Sequence, residues 1–295
     1  MYYTIQNKYL KVVIESKGAE LWSIMDQEQC EYLWQGDSTY WGNRSPLLFP
    51  YVGRLTDGKY SYKNHIYEMC IHGFANLSEF LVIEQRKDCI TFLLEDSMHT
   101  REQYPFTFAL FVQYCLHKNK VLVEYRVENK GNTTMYFGIG GHPGFYVPME
   151  EGLTFSDYSL EFSENTDVYR VGMSEDCYVN GKDEPFDLEE GVRLPLEHSM
   201  FDEDAIILRD MAKSVLLNSL QGKKSIRVNY KEMPYLGIWH MPKIDAPYIC
   251  IEPWSSLPSR KDMIEDLEKK EDLIALSKKE CYVTGWEVEV GSMYE

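Results

Sequence analysis

Positive charge is what this chain has least of: Lys and Arg number 30 against 47 Asp and Glu in 295 residues, a formal net charge of −17. No block of Lys or Arg accumulates anywhere, which excludes a phosphate-tracking nucleic-acid surface. Nor does any apolar run approach the roughly 18 residues of a membrane span. Met1 to Lys8 lacks the basic start and apolar stretch of a secretory signal. The seven cysteines are an odd number, scattered, without a CxxC pair, and several sit in strand-like stretches such as Val112 to Leu116. The expectation is therefore reduced thiols in a cytoplasmic protein. GxxxxGK[ST] and HExxH are missing, and Ser255-Ser256 has no GxSxG setting. Gly138 to Gly144 departs from GxGxxG, and Pro143 would obstruct a helix there. Seven histidines without an HxH pair predict no metal site, and nothing calls for a cofactor.

What the chain does have is apolar material in alternation. Hydrophobic residues make up 44% and aromatic residues 14%, enough for a large buried core. Period-two patterns separated by turn residues recur almost end to end, the signature of half-buried antiparallel strands. Lys59 to Lys63 and Ile66 to Met69 read as a hairpin turning at Asn64-His65. Phe80 to Ile83 with Cys89 to Leu94, and Phe108 to Leu116 with Val121 to Val127, read as two more. Only Lys261 to Leu276 has helical spacing, through Met263, Ile264, Leu267, Leu273, Ile274 and Leu276. Helices of about 10–15 residues between strands are lacking, which excludes a doubly wound α/β fold. The chain is thus expected to be all-β: a large antiparallel β-sandwich, one domain over 1–295, with one or two short helices.

Five stretches surround a single ionisable group with rigid neighbours. They contain Arg54 (Phe49 to Leu55), His72 (Ile71 to Phe74), His142 (Gly140 to Phe145), Asp204 (Phe201 to Ala205) and Glu252 (Cys250 to Trp254). An isolated histidine or arginine is more often structural or a surface ion-pair partner. His142, however, has glycines and a proline about it that fix the backbone and leave room beside the ring. Glu252 ends an apolar strand and precedes Pro253-Trp254, so burial would raise its pKa into the range of a useful base. The Arg54 guanidinium suits planar hydroxyl or carboxylate recognition. Trp239 and Trp254 are core residues by default, and also the kind of side chain that stacks on sugar rings.

Taken in order, Pro50-x-x-Gly53-Arg54, His72-Gly73-Phe74, Gly141-His142-Pro143-Gly144-Phe145, Asp204-Ala205 and Glu252-Pro253-Trp254 resemble the aldose 1-epimerase (mutarotase) family, most strongly its LacX-like branch. The resemblance runs from Gly18 to Trp286. It implies a galactose mutarotase-like sandwich and cofactor-free interconversion of aldose anomers. Glu252 would be the base at the C1 hydroxyl, His142 the acid at the ring oxygen, and His72 a second histidine near that oxygen. Arg54 and Asp204 would grip sugar hydroxyls. Beyond the resemblance, Trp239 is a candidate substrate contact by ring stacking, and Arg44 is the one local addition to Arg54 that a phosphate could use. Gly53 stands where galactose mutarotases carry asparagine, and His142 sits in Gly-His-Pro-Gly-Phe, not Asn-His-x-Tyr-Phe. The partner implied is a small sugar, with no nucleic acid or membrane, in a monomer or homodimer. Two alternatives are a non-catalytic carbohydrate-binding or sensing protein and a hexose-6-phosphate 1-epimerase.

Overall fold

The computed structural model describes residues 1–292. Two large antiparallel sheets dominate. One has nine strands, in the order Arg193–Pro195, Ser159–Phe162, Ser214–Asn218, Lys224–Asn229, Cys281–Ser292, Lys120–Asn129, Phe108–His117, Cys89–Glu95, Leu81–Gln85. The other has eight, ordered Glu184–Pro185, Tyr169–Arg170, Ile206–Arg209, Tyr235–Trp239, Tyr248–Trp254, Gly140–Gly141, Leu47–Leu48, with Gly144–Tyr146 also pairing to Tyr248–Trp254.

Alternation assigns the faces. In Lys120–Asn129, Val121, Val123, Tyr125 and Val127 are buried while Leu122 and Glu124 face out, as a half-buried strand requires. Their apolar face meets Leu236, Ile238, Ile249 and Ile251 of the eight-stranded sheet in one continuous core. Trp286 joins the two layers: its Nε1 donates to Tyr125 Oη at 2.8 Å, and its ring lies so close under Gly141 that a Cβ there would meet Cε2 at 2.8 Å. Burying apolar surface of this kind contributes about 25 cal/mol per Å² removed from water.

Strand Tyr248–Trp254 is buried along its whole length. Ile249 and Ile251 point into the sandwich core, whereas Tyr248, Cys250 and Trp254 join smaller clusters on the opposite face of the sheet. A side-chain period of two therefore places Cys250 and Glu252 together on the face away from the main core. That second face bears the site.

The hairpins at Phe108–His117/Lys120–Asn129 and Leu81–Gln85/Cys89–Glu95 form as their alternation predicts. In Lys59–Tyr62/His65–Glu68 the turn is Lys63-Asn64, one residue earlier than expected, with both residues at positive φ as a tight hairpin turn needs. The helix expected over Lys261 to Leu276 does not form. Glu265–Asp266 pairs in parallel with Tyr60 and Ser61, Ile274–Leu276 pairs with Met135–Phe137, and turns fill the rest. Leu267, Leu273 and Leu276 are buried, but Met263 and Ile264 are exposed, so no single helical stripe was being buried. The α-helix present is Met98–Gln103, started by Ser97 and Thr100 in a reciprocal cap.

Cys89 and Cys115 correct the expectation of seven free thiols. Register sets them opposite each other across two strands, with Cα atoms 4.1 Å apart, and they are joined as a disulfide. No helix among the described residues is long and apolar enough to cross a membrane.

Candidate active site

A cavity of about 330 Å³ opens on the outer face of the eight-stranded sheet, within the ~300–1,000 Å³ usual for small-molecule sites. Strand residues Ile207, Trp239, Glu252 and Trp254 form its floor, and loops bring Trp41, Arg54, His72, His142, Cys177 and Asp204 to its walls. Gly237 lies opposite Glu252 in the ladder. A Cβ there would meet Trp254 Cζ2 at 2.9 Å and Glu252 Cβ at 3.2 Å, so glycine keeps the space beside the carboxylate open.

Glu252 is 1% exposed and His142 8%. Their Oε2 and Nε2 atoms are 3.2 Å apart. Neither Glu252 Oε2 nor His142 Nδ1 has a hydrogen-bond partner, a costly arrangement in a buried place. Burial, with Asp204 as a further negative charge, drives the Glu252 carboxyl well above its ordinary range, against a weaker opposing pull from the Trp254 N–H. Burial, reinforced by His72, drives His142 well below its own. Each group is pushed toward its neutral form, so the pair's one titratable proton is favoured on Glu252. The His142 ring is held by a stacked Trp41 at 4.9 Å and by the edge contact of Trp239 at 5.7 Å, while its backbone N–H donates to the Pro46 carbonyl at 3.1 Å.

His72 is fixed from both ends. Its backbone N–H donates to the Gly53 carbonyl at 3.0 Å, and its Nδ1 accepts the Gly53 N–H at 3.1 Å. Since a backbone amide can only donate, Nδ1 carries a lone pair and the neutral ring keeps its proton on Nε2. Burial, then the Arg54 charge, lowers its pKa to about 4 in agreement. The ring meets His142 edge-on at 5.6 Å.

Asp204 accepts the Cys177 thiol at Oδ2, 2.8 Å away, and the Ala205 N–H at Oδ1, also 2.8 Å. Burial, then Asp204, pushes the thiol up to about 11, so it donates throughout the neutral range. His72, Cys177 and Asp204 all have left-handed backbone, at φ 63°, 65° and 77°. Each costs about 1–2 kcal/mol relative to the right-handed region, strain that tends to collect at functional sites.

Of the residues expected from sequence, Glu252, His142, His72, Arg54, Asp204 and Trp239 all line this one cavity. Arg44 does not. Its guanidinium lies over the Trp22 ring at 3.8 Å, donates to the Trp22 carbonyl at 2.8 Å and bonds Gln35; only its backbone serves the site, accepting the Gly144 N–H at 2.8 Å. Trp41, Asn76 and Cys177 also line the cavity and are not among the residues expected from sequence. Asn76 Oδ1 is another buried acceptor without a partner. Trp41 had a weak signal, an aromatic pair Tyr40-Trp41 in an otherwise polar, aperiodic stretch; Cys177 had none.

Known proteins match this chain in sequence and in fold. The family model described as aldose 1-epimerase matches residues 1–266. The chain is 34% identical over 274 residues to the plasmid-encoded protein LacX of Lactococcus lactis subsp. lactis, covering 90% of this chain and 91% of that one. A galactose mutarotase related enzyme from Lactobacillus acidophilus superposes with a TM-score of 0.94 at 34% identity, over 99% of this chain and 98% of its own. A galactose mutarotase-like protein from Lactobacillus casei also gives 0.94, at 32% identity over 99% and 100%. The galactose 1-epimerase of Lactobacillus acidophilus, 16% identical with a TM-score of 0.71 over 98% and 93%, shares the fold.

Proposed function

Since the chain belongs to the aldose 1-epimerase family, we propose that it interconverts the α and β anomers of an unphosphorylated aldose by acid–base ring opening and closure. One observation carries the reading: a buried carboxyl and a buried imidazole, 3.2 Å apart, line a sugar-sized cavity.

The two oxygens of a hemiacetal sit on one carbon, so its acid and base must be neighbours. With the pair's one proton moved from Glu252 to His142, Glu252 takes the C1 hydroxyl proton while His142 protonates the ring oxygen. The C1–O bond breaks to the open aldehyde, C1–C2 rotates, and closure on the other face runs the same transfers backwards. The pair begins and ends with one proton, so no exchange with solvent is needed and neither an oxyanion nor an oxocarbenium ion builds up. His72 offers Nε2–H toward the ring oxygen, Arg54 and Asp204 hold hydroxyls, and Trp239 faces the sugar ring.

The charge of the wall favours a neutral sugar. Arg54 is the one Lys or Arg among the described lining residues, against Glu203 and Asp204; a hexose 6-phosphate would need more cations. Anomer equilibration, followed by polarimetry or NMR across neutral aldoses and hexose 6-phosphates, tests the proposal. Acceleration of a neutral aldose is expected. Acceleration of phosphorylated hexoses alone would sink the substrate assignment, and binding without acceleration would leave a carbohydrate-binding protein.

A further inference from the structure

Along the chain no two histidines or cysteines have the spacing of a metal site. Folding brings together His142, Cys250 and Glu252, all buried, with one ligand atom from each lying within 4.8 Å of the others. Cys250 and Glu252 project from the same face of Tyr248–Trp254, and His142 arrives on the turn between Gly140–Gly141 and Gly144–Tyr146, both of which pair with that strand. The three donors are thus held by a hydrogen-bonded ladder and not by mobile loops. Ligands around tetrahedral zinc are separated by about 3.3–3.8 Å, given Zn–N near 2.1 Å and Zn–S near 2.3 Å, so small side-chain rotations close this triangle. The Glu252 Oε2 atom has no hydrogen-bond partner to surrender.

We propose that His142, Cys250 and Glu252 form a binding site for a thiophilic divalent cation of the Zn²⁺ class, and that its occupation shuts off sugar turnover. Imidazole, thiolate and carboxylate are a donor set that suits zinc, and three protein ligands leave a fourth position toward the cavity. Two protons leave to solvent as the cation binds, one from the Cys250 thiol and one from the Glu252–His142 pair. His142 Nδ1 has no protein partner to orient the ring from behind, so affinity falls short of that of structural zinc sites. Inhibition, as distinct from binding, rests on the acid–base reading above: a cation on Glu252 and His142 occupies the lone pairs that must carry the shared proton.

The test uses the full chain, stripped with a chelator and titrated with Co²⁺ as a spectroscopic probe and with Zn²⁺. One equivalent of Co²⁺ should give a thiolate-to-metal charge-transfer band that Zn²⁺ displaces. The band should disappear in Cys250→Ser and in Glu252→Gln, and persist in Cys177→Ser, which removes the thiol that lines the cavity. Anomer equilibration should be inhibited by Zn²⁺ and recover with chelator. Relative to its own uninhibited rate, Cys250→Ser should need at least about tenfold more Zn²⁺ for the same inhibition. Absence of the band, or its survival in both Cys250→Ser and Glu252→Gln, overturns the site whatever the activity. The band without zinc inhibition of an active protein overturns the shut-off. A band in a protein that turns over no sugar keeps the site and instead defeats the acid–base reading.

Discussion

Two histidine clusters, His198 half-buried in one of them, lie on neighbouring parts of this molecule, and their difference separates architecture from chemistry. His198 and His240 are joined at 3.0 Å through Nδ1 and Nε2, and His240 Nδ1 bonds the Met241 carbonyl at 2.7 Å. If His240 donates from Nδ1 to that carbonyl, its Nε2 must accept from His198. Phe155 stacks on His198 at 4.0 Å, and Phe201 packs on His240 at 4.3 Å. This cluster pins the turn Glu197 to Asp202, just ahead of Asp204, to the end of the strand carrying Trp239. His142 and Glu252 are as deeply buried, yet keep unpaired atoms facing a cavity. A satisfied buried network stabilises a fold; an unsatisfied one beside a cavity is ready for a ligand.

The largest effect that should divide the clusters is on rate. Glu252→Gln keeps shape and removes the base, so anomer equilibration should fall about 10²–10⁴-fold with sugar binding retained; a rate close to that of the parent protein would put the base elsewhere. His142→Asn should act on rate in the same sense. His240→Leu should do the reverse, costing about 1–3 kcal/mol of stability in denaturant unfolding while altering the rate far less than Glu252→Gln. A rate collapse in a folded His240→Leu protein would erase the distinction.

Arg54→Ala, at the exposed rim, should raise KM about tenfold and leave kcat nearly constant, the mark of lost uniform binding. A kcat loss matching that of Glu252→Gln would move Arg54 into the proton-transfer steps.

Acid should act on both regions. His72 and His240 are each held near pKa 4, mainly by burial, below their unfolded value of about 6.5. Between those values the unfolded chain binds more protons, so their stabilising contribution is complete above about pH 6.5 and fades as pH falls toward 4. Urea midpoints over that range should show the decline, and His240→Leu should flatten part of it. Activity should instead follow a bell, because the His142–Glu252 pair works with one shared proton. The acidic limb reports gain of a second proton, below the ordinary histidine value, and the basic limb loss of the only one, well above the ordinary glutamate value. The smallest effect should come from chelation: the acid–base mechanism routes no step through a metal, so EDTA should not lower the rate. Loss on chelation, restored by a divalent ion, would contradict the mechanism.

The sandwich was readable because strand alternation is a local code. Where Val121, Val123, Tyr125 and Val127 alternate with polar or exposed residues, the face to be buried is decided within ten residues of chain. The segment Lys261 to Leu276 misled for the matching reason: apolar residues near period 3.6 describe a helix only if one partner surface takes them all, and here separate contacts take Leu267 and Leu276 while Met263 stays exposed. The candidate residues Glu252, His142, His72, Arg54 and Asp204 were legible as an ordered set of motifs, each with confined neighbours. Their separation, orientation and proton sharing were not.

By itself, the sequence determined the strand faces, the all-β class and the residue types available for chemistry, since each depends on composition and on neighbours a few positions apart. Tertiary structure decided what depends on distance across the chain. The Cys89–Cys115 bond follows from strand register. Arg44 turned to Trp22 because partners distant in sequence were nearer than the cavity. Cys177 became the donor to Asp204, and Cys250 came beside His142 and Glu252, because residues far apart in the chain were folded against one sheet. Hydrogen bonding, charge coupling and metal coordination act over a few ångströms, and only the packed fold sets which groups lie within that range.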